Sequence, residues 1–235
     1  MALTRRMFAQ LVASALLLRH LPALAQTPLT VAVGGSPGPN ITQRVVSAGA
    51  PADMLLLAVA PEKLVGLSSF DLSRQTAIPF HDDIRALPKL GRLAGRASTL
   101  SLEALLALKP DLVVDCGNAD ETWLSQARQV SAQTHIPWLL INGELRHTPE
   151  QLHAAGEALG VVSRTAMQAA LARRFIDNAI AFSHTAAANL RFYAARGARG
   201  LETGLQGSLH TEAAELLGLQ NVAHIPGRQG LTQVS

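Results

Sequence analysis

TLSLEALLALKPDLVVDCG, residues 99–117, reads as one complete helix-turn-strand unit. Ser101 stands where a helix cap is needed, and Leu102, Leu105, Leu106 and Leu108 recur at helical spacing. Lys109-Pro110-Asp111 then stops the helix. Leu112, Val113 and Val114 follow as a short uninterrupted apolar run, the pattern of a parallel strand covered on both faces. A ligand or partner is therefore expected at the loop beyond Cys116, at the carboxyl end of that strand.

A second unit lies upstream, in RVVSAGAPADMLLLAVAPEKLVGLSSFD. Its residues predict a strand over Arg44 to Ser47, a helix over Ala52 to Ala60 with Pro51 in its first turn, and a strand over Leu64 to Ser68. Further landmarks are Leu87-Pro88-Lys89-Leu90-Gly91 and Leu217-Gly218-Leu219-Gln220-Asn221-Val222-Ala223. In their order and spacing over residues 44–235, these segments resemble the helical-backbone (class III) periplasmic binding proteins that serve ABC importers of iron-siderophore complexes, haem and vitamin B12. The resemblance implies an α/β fold of two Rossmann-like lobes with parallel sheets, joined by a long helix. It also implies binding without catalysis, and an ABC permease at the inner membrane as partner.

Residues 1–25 have a basic start, the apolar run Leu11 to Leu18 and the small-residue end Ala23-Leu24-Ala25. The run is far shorter than the roughly 20 residues a membrane-spanning helix needs, so an export signal cleaved before Gln26 is expected. Thr4-Arg5-Arg6-Met7-Phe8 resembles a twin-arginine signal, with an ordinary secretory signal as the alternative. Removing Arg5, Arg6 and Arg19 from the 20 basic residues leaves 17 against 17 acidic ones, which takes away the basic surface a nucleic-acid partner needs. No cysteine stands near residue 25 to carry a lipid. A soluble periplasmic protein without a lipid anchor is expected, working as a monomer.

The rest of the chain divides by pattern. Residues 26–43 form a Pro/Gly-rich leader, and residues 44–147 alternate strand and helix as a first lobe, including a strand over Trp138 to Ile141. Residues 148–188 lose all strand signals and carry helical spacing, with Pro149 in a first turn, Gly160 as a break and Ser163 as a new start. In the resembled family this stretch is the connecting helix; a plain helical layer on the sheet is the alternative. Residues 189–235 begin a second lobe with a strand over Leu190 to Ala194 and a helix over Ser208 to Leu217. So short a unit encloses little core, and the second lobe is expected to be truncated.

Candidate ligand-binding residues are those at strand-to-helix loops facing the other lobe: Pro51, Phe70, Arg74, Arg92 and Asn118 in the first, Tyr193, Arg196, Glu202 and His210 in the second. Arginine suits a ferric chelate, because its guanidinium binds planar oxygen pairs in a bidentate way. With aromatic residues at only 4%, a compact anionic iron-siderophore chelate ranks ahead of cobalamin, haem, or a small metal or oxyanion species. Direct metal coordination through His81, Asp82, Asp83, His210 or Glu212 matches no fixed-spacing ligand set. No resident cofactor is expected. Glu103 lies in a first helical turn, and a glutamate matching it in the resembled family pairs with a permease arginine. Cys116, the lone cysteine, reads as a buried small hydrophobe. No nucleophile elbow, phosphate loop or dinucleotide glycine pattern follows a strand, so catalysis finds little support, and an exported α/β enzyme or sensor domain ranks behind binding as the alternative.

Overall fold

The computed structural model describes residues 29–35, 38, 41–73, 80–94, 98–117, 119–185 and 190–234; the expected export segment, Arg74 and Asn118 lie outside them. In chain order the elements are β1 (Thr30–Val33), β2 (Val45–Ser47), α1 (Ala50–Val59), α2 (Asp82–Arg85), α3 (Leu102–Ala107), β3 (Leu112–Gly117), α4 (Glu121–Thr134), β4 (Trp138–Asn142), α5 (Thr148–Leu159) and α6 (Val162–Ser183). The second lobe adds β5 (Arg191–Phe192), β6 (Glu202–Gly204), α7 (Glu212–Leu216), β7 (Gln220–Asn221) and β8 (Leu231–Gln233).

The segment 99–117 forms as its residues dictate. Ser101 Oγ accepts the Ala104 N–H at 3.1 Å and starts α3, while Lys109 turns left-handed at φ 47° and ends it. A left-handed lysine is costly, and Arg44 holds it: its guanidinium donates to the Leu108 and Lys109 carbonyls at 2.7 and 3.2 Å. Asp111 Oδ2 returns the tie by accepting the Gln43 and Arg44 N–H groups, both at 2.8 Å. The turn into β3 is thereby fastened to the start of β2, which fixes their parallel register, Val46 opposite Val113.

The main sheet runs β1-β4-β3-β2, with β2, β3 and β4 parallel and β1 antiparallel to β4. Side chains alternate between two cores. Val45, Val114, Leu139 and Ile141 meet α1, α5 and α6 on one face. Val46, Val113, Trp138 and Leu140 meet Leu105 of α3 and Ala127 of α4 on the other. Each fully buried aliphatic side chain contributes about 1.5–3 kcal/mol, so a strand apolar at every position is stable only between two helical layers.

Three expectations are corrected. Residues 30–33 belong to no leader; they form the edge strand β1, with Val33 opposite Trp138. Leu64 to Ser68 is not a ladder strand. Its bonds divide, Val65 N–H to Val45 and Leu67 N–H to Pro88, leaving only isolated bridges to Val45 and Lys89. In the second lobe the helix is Glu212–Leu216 rather than the whole of Ser208 to Leu217. The preceding hydroxyls compete with helix formation: Ser208 Oγ accepts the His210 N–H at 3.1 Å, and Thr211 Oγ1 donates to the Leu205 carbonyl at 3.1 Å.

Gly160 caps α5 in a left-handed conformation at φ 68°, and α6 begins two residues later. At 22 residues α6 spans about 33 Å. It packs along α5 on the first lobe and reaches α7 in the second, so it is the connecting helix. Among the described residues no helix is long and apolar enough to cross a membrane.

Candidate ligand cleft

The chain leaves β2 toward Leu64 on one side and comes back to β3 on the other. In an open α/β sheet that reversal opens a crevice beyond the strands' carboxyl ends. The loop after β3 leads to Asp120, whose Oδ1 accepts the Thr122 and Trp123 N–H groups at 3.0 and 3.3 Å and so starts α4. Trp123, Thr122, Ser125, Gln126 and Gln129 of this helix form one wall of a cleft of about 1100 Å³.

The opposite wall belongs to the second lobe and includes Arg196, Arg199, Glu202, His210 and the stretch Gln229 to Gln233. Arg196 and Glu202 exchange backbone hydrogen bonds at 2.8 and 3.3 Å, which closes the glycine-rich loop between them into a narrow turn. Gly197 and Gly200 supply the left-handed backbone there, at φ 72° and 67°. Tyr193 donates its hydroxyl to the Gly200 carbonyl at 2.9 Å and braces the loop that carries Arg199. His210 comes from the turn before α7, where β6 runs so close that a Cβ on Gly204 would meet Thr211 Cγ2 at 2.8 Å.

Arg196 Nη1 lies 2.9 Å from His210 Nδ1. Burial holds the His210 imidazole below its ordinary pKa, the Arg196 charge adds to that, and Glu202 opposes it. The second lobe is also tied to the chain after β4, where Glu212 Oε1 accepts the Leu145 N–H at 2.7 Å. Burial raises the Glu212 carboxyl above the usual range; the Leu145 and Arg146 N–H groups oppose the shift and the Glu144 charge adds to it.

Of the candidates read from sequence, Arg196, Glu202 and His210 stand together on the cleft wall. Tyr193 supports that wall from behind, through Gly200. Pro51 is exposed in the first turn of α1, and Phe70 packs against the first-lobe core. Arg92 sits in a turn where its N–H donates to Thr99 Oγ1 at 2.9 Å, and it is not among the lining residues. Glu103 is exposed in the first turn of α3, where hydrogen bonds from its own N–H and the Ser101 hydroxyl hold its carboxyl below the usual range. The α4 wall is the part the loop-based reading missed. Its signal was present: Thr122, Ser125, Gln126 and Gln129 are uncharged polar residues at i, i+3, i+4 and i+7, one face of a helix.

Asp115 and Cys116 lie at the end of β3, beneath the same crevice. Burial pushes the Cys116 thiol up to about 12, with the neighbouring Asp115 adding to it, so the thiol stays protonated at neutral pH and is a poor nucleophile. His81-Asp82-Asp83 opens the short helix α2, with His81 at its cap position. Among the described residues no three His, Cys, Asp or Glu side chains gather closely enough to hold a metal ion.

No protein-family model matches the sequence, and no curated protein does. The fold, however, is similar to solved structures. An ABC transporter solute binding protein from Sulfurospirillum deleyianum matches with a TM-score of 0.71 at 23% identity, over 83% of this chain and 62% of that one. A periplasmic vitamin B12 binding protein of Vibrio cholerae matches at 0.63 and 19%, over 85% and 72%. A periplasmic heme-binding protein from Roseiflexus matches at 0.58 and 20%, over 83% and 71%. The chain thus has the α/β fold of ABC-transporter solute-binding proteins and spans less than two thirds of the length of the first of these.

Proposed function

We propose that this chain acts as a periplasmic solute-binding component of an ABC importer, and that its cleft takes a compact anionic chelate of the iron-siderophore type. The observation that carries the reading is the pairing of walls: uncharged hydrogen-bonding side chains and Trp123 on α4, facing Arg196 and Arg199 across about 1100 Å³. Guanidinium groups hold carboxylate, catecholate or hydroxamate oxygens, while amides and hydroxyls take up the remaining acceptors. With one tryptophan on this surface, the cleft has little of the flat aromatic wall that haem or cobalamin favours. Binding here is reversible, and a micromolar dissociation constant corresponds to about 8 kcal/mol. Glu103, exposed on the first lobe, is the proposed contact for a permease arginine.

Tryptophan fluorescence tests the reading, because Trp123 lines the cleft while Trp138 is buried in the first-lobe core. Titration with ferric hydroxamate, catecholate and citrate complexes, cobalamin, haem and molybdate is expected to give a saturable change for a ferric chelate. Trp123→Phe should abolish the change. Silence from every compound refutes the proposal. Arg196→Ala should weaken the ferric chelate about 10- to 30-fold, the worth of one charge-assisted hydrogen bond of about 1.5–2 kcal/mol, and an unaltered dissociation constant would remove Arg196 from the site.

A further inference from the structure

We infer that His210 serves the cleft as a hydrogen-bond donor to an anionic oxygen of the ligand, with its tautomer fixed by Arg196, and not as a metal ligand. The inference rests on the cleft being the binding site, as proposed above.

Arginine can only donate hydrogen bonds, so at 2.9 Å from Arg196 Nη1 the His210 Nδ1 must be the acceptor. An imidazole that accepts at Nδ1 carries its single proton on Nε2. Nε2 is then the ring nitrogen left to a ligand in the cleft that His210 lines, and it offers an N–H. A metal needs a bare nitrogen lone pair, so ligation through Nε2 requires the proton to move to Nδ1, where it would face the guanidinium. Loss of the Arg196 contact would accompany any metal bond. Donation costs nothing of the kind.

The surroundings agree with a donor role. Burial and the Arg196 charge both favour the neutral ring that donation from Nε2 with acceptance at Nδ1 requires, and they outweigh the opposing Glu202 carboxylate. The His210 backbone is itself fixed, since its N–H donates to Ser208 Oγ at 3.1 Å. With Arg199 on the adjoining turn, this wall offers two guanidinium groups and one imidazole N–H. That set recognises oxygen acceptors clustered on an anion, and it leaves the metal of a chelate to the chelator.

Two measurements on the full chain decide it. Long-range 1H–15N correlation of histidine-labelled protein at neutral pH should show His210 as the neutral Nε2–H tautomer, and that proton should persist when gallium(III) citrate, a diamagnetic stand-in for the ferric complex, is added. An Nδ1–H ring, a doubly protonated ring, or loss of the Nε2 proton on adding gallium citrate overturns the inference. In fluorescence titrations with ferric citrate, His210→Ala should weaken binding about 5- to 10-fold. His210→Gln, whose amide also accepts on one atom and donates from the other, should stay within about 2-fold of wild type. Equal losses in both variants, or none in either, overturn the donor role while leaving the transport reading intact. Failure of the unmodified chain to bind any compound in the panel removes the transport reading and the donor role together.

Discussion

Asp53→Ala is expected to destabilise the protein by about 3–5 kcal/mol, although Asp53 touches neither the cleft nor any cation described above. Asp53 is fully buried in the first turn of α1. Its Oδ1 accepts the Ser68 N–H at 2.8 Å, and its Oδ2 accepts the Ser69 N–H at 2.9 Å and the Ser68 hydroxyl at 2.9 Å. This segment has no continuous strand ladder to consume its backbone donors, so the carboxylate takes the place of a neighbouring strand. Alanine leaves the Ser68 and Ser69 N–H groups without their acceptor, at about 1–3 kcal/mol each, and neither can turn away, whereas the Ser68 hydroxyl keeps Ser69 Oγ at 3.1 Å as a partner. Asp53→Asn keeps one oxygen but sets an NH2 against a donor, and should cost about 2 kcal/mol. Urea unfolding followed by tryptophan fluorescence measures both; a loss below about 1 kcal/mol for the alanine variant contradicts the role assigned to this carboxylate. Because Phe70 follows directly and packs on the same core, the variant should also expose that loop to proteolysis.

The same residues show what the sequence could and could not disclose. The α3-β3 unit was readable because every signal in it is local: a serine cap, a leucine stripe, a proline stop and a three-residue apolar strand. The Arg44 and Asp111 tie that sets its register was not, since its partners lie 64 to 68 positions apart. Leu64 to Ser68 has the composition of a strand, and only the arrangement of Val45 and Pro88 on different sides of it denies it a ladder. β1 is four residues beside a Gly/Pro-rich stretch, and its pairing with β4 is a contact over more than a hundred residues. At the cleft, Arg196, Glu202 and His210 are legible as polar residues in and beside the loops that connect short strands and helices. The α4 wall is not legible in the same way, because a polar helix face acquires meaning only when the opposite lobe is placed against it.

Asp115→Asn is expected to stabilise the protein at neutral pH, by an amount that disappears in acid. Asp115 stands on β3, between β2 and β4, and is 5% exposed. Burial raises its carboxyl to about 6 from an ordinary 3.8, and the single opposing influence is a hydrogen bond from the Cys116 N–H. The folded state therefore holds this proton more tightly than the unfolded chain does. Below pH 3.8 both states are protonated and the group is neutral in its effect. Between 3.8 and 6 the unfolded chain ionises first, and stability falls as pH rises; above 6 the full cost stands, on the order of 3 kcal/mol for a shift of this size. Asparagine has the same shape, never ionises, and can still accept the Cys116 N–H through its oxygen. The variant should match wild type near pH 4 and exceed it by about 2–3 kcal/mol at pH 7, as read from urea unfolding at four or five pH values. A difference that stays constant across that range would mean the side chain acts through packing, and a variant less stable at pH 7 would mean the charge has a partner that the β3 environment does not show.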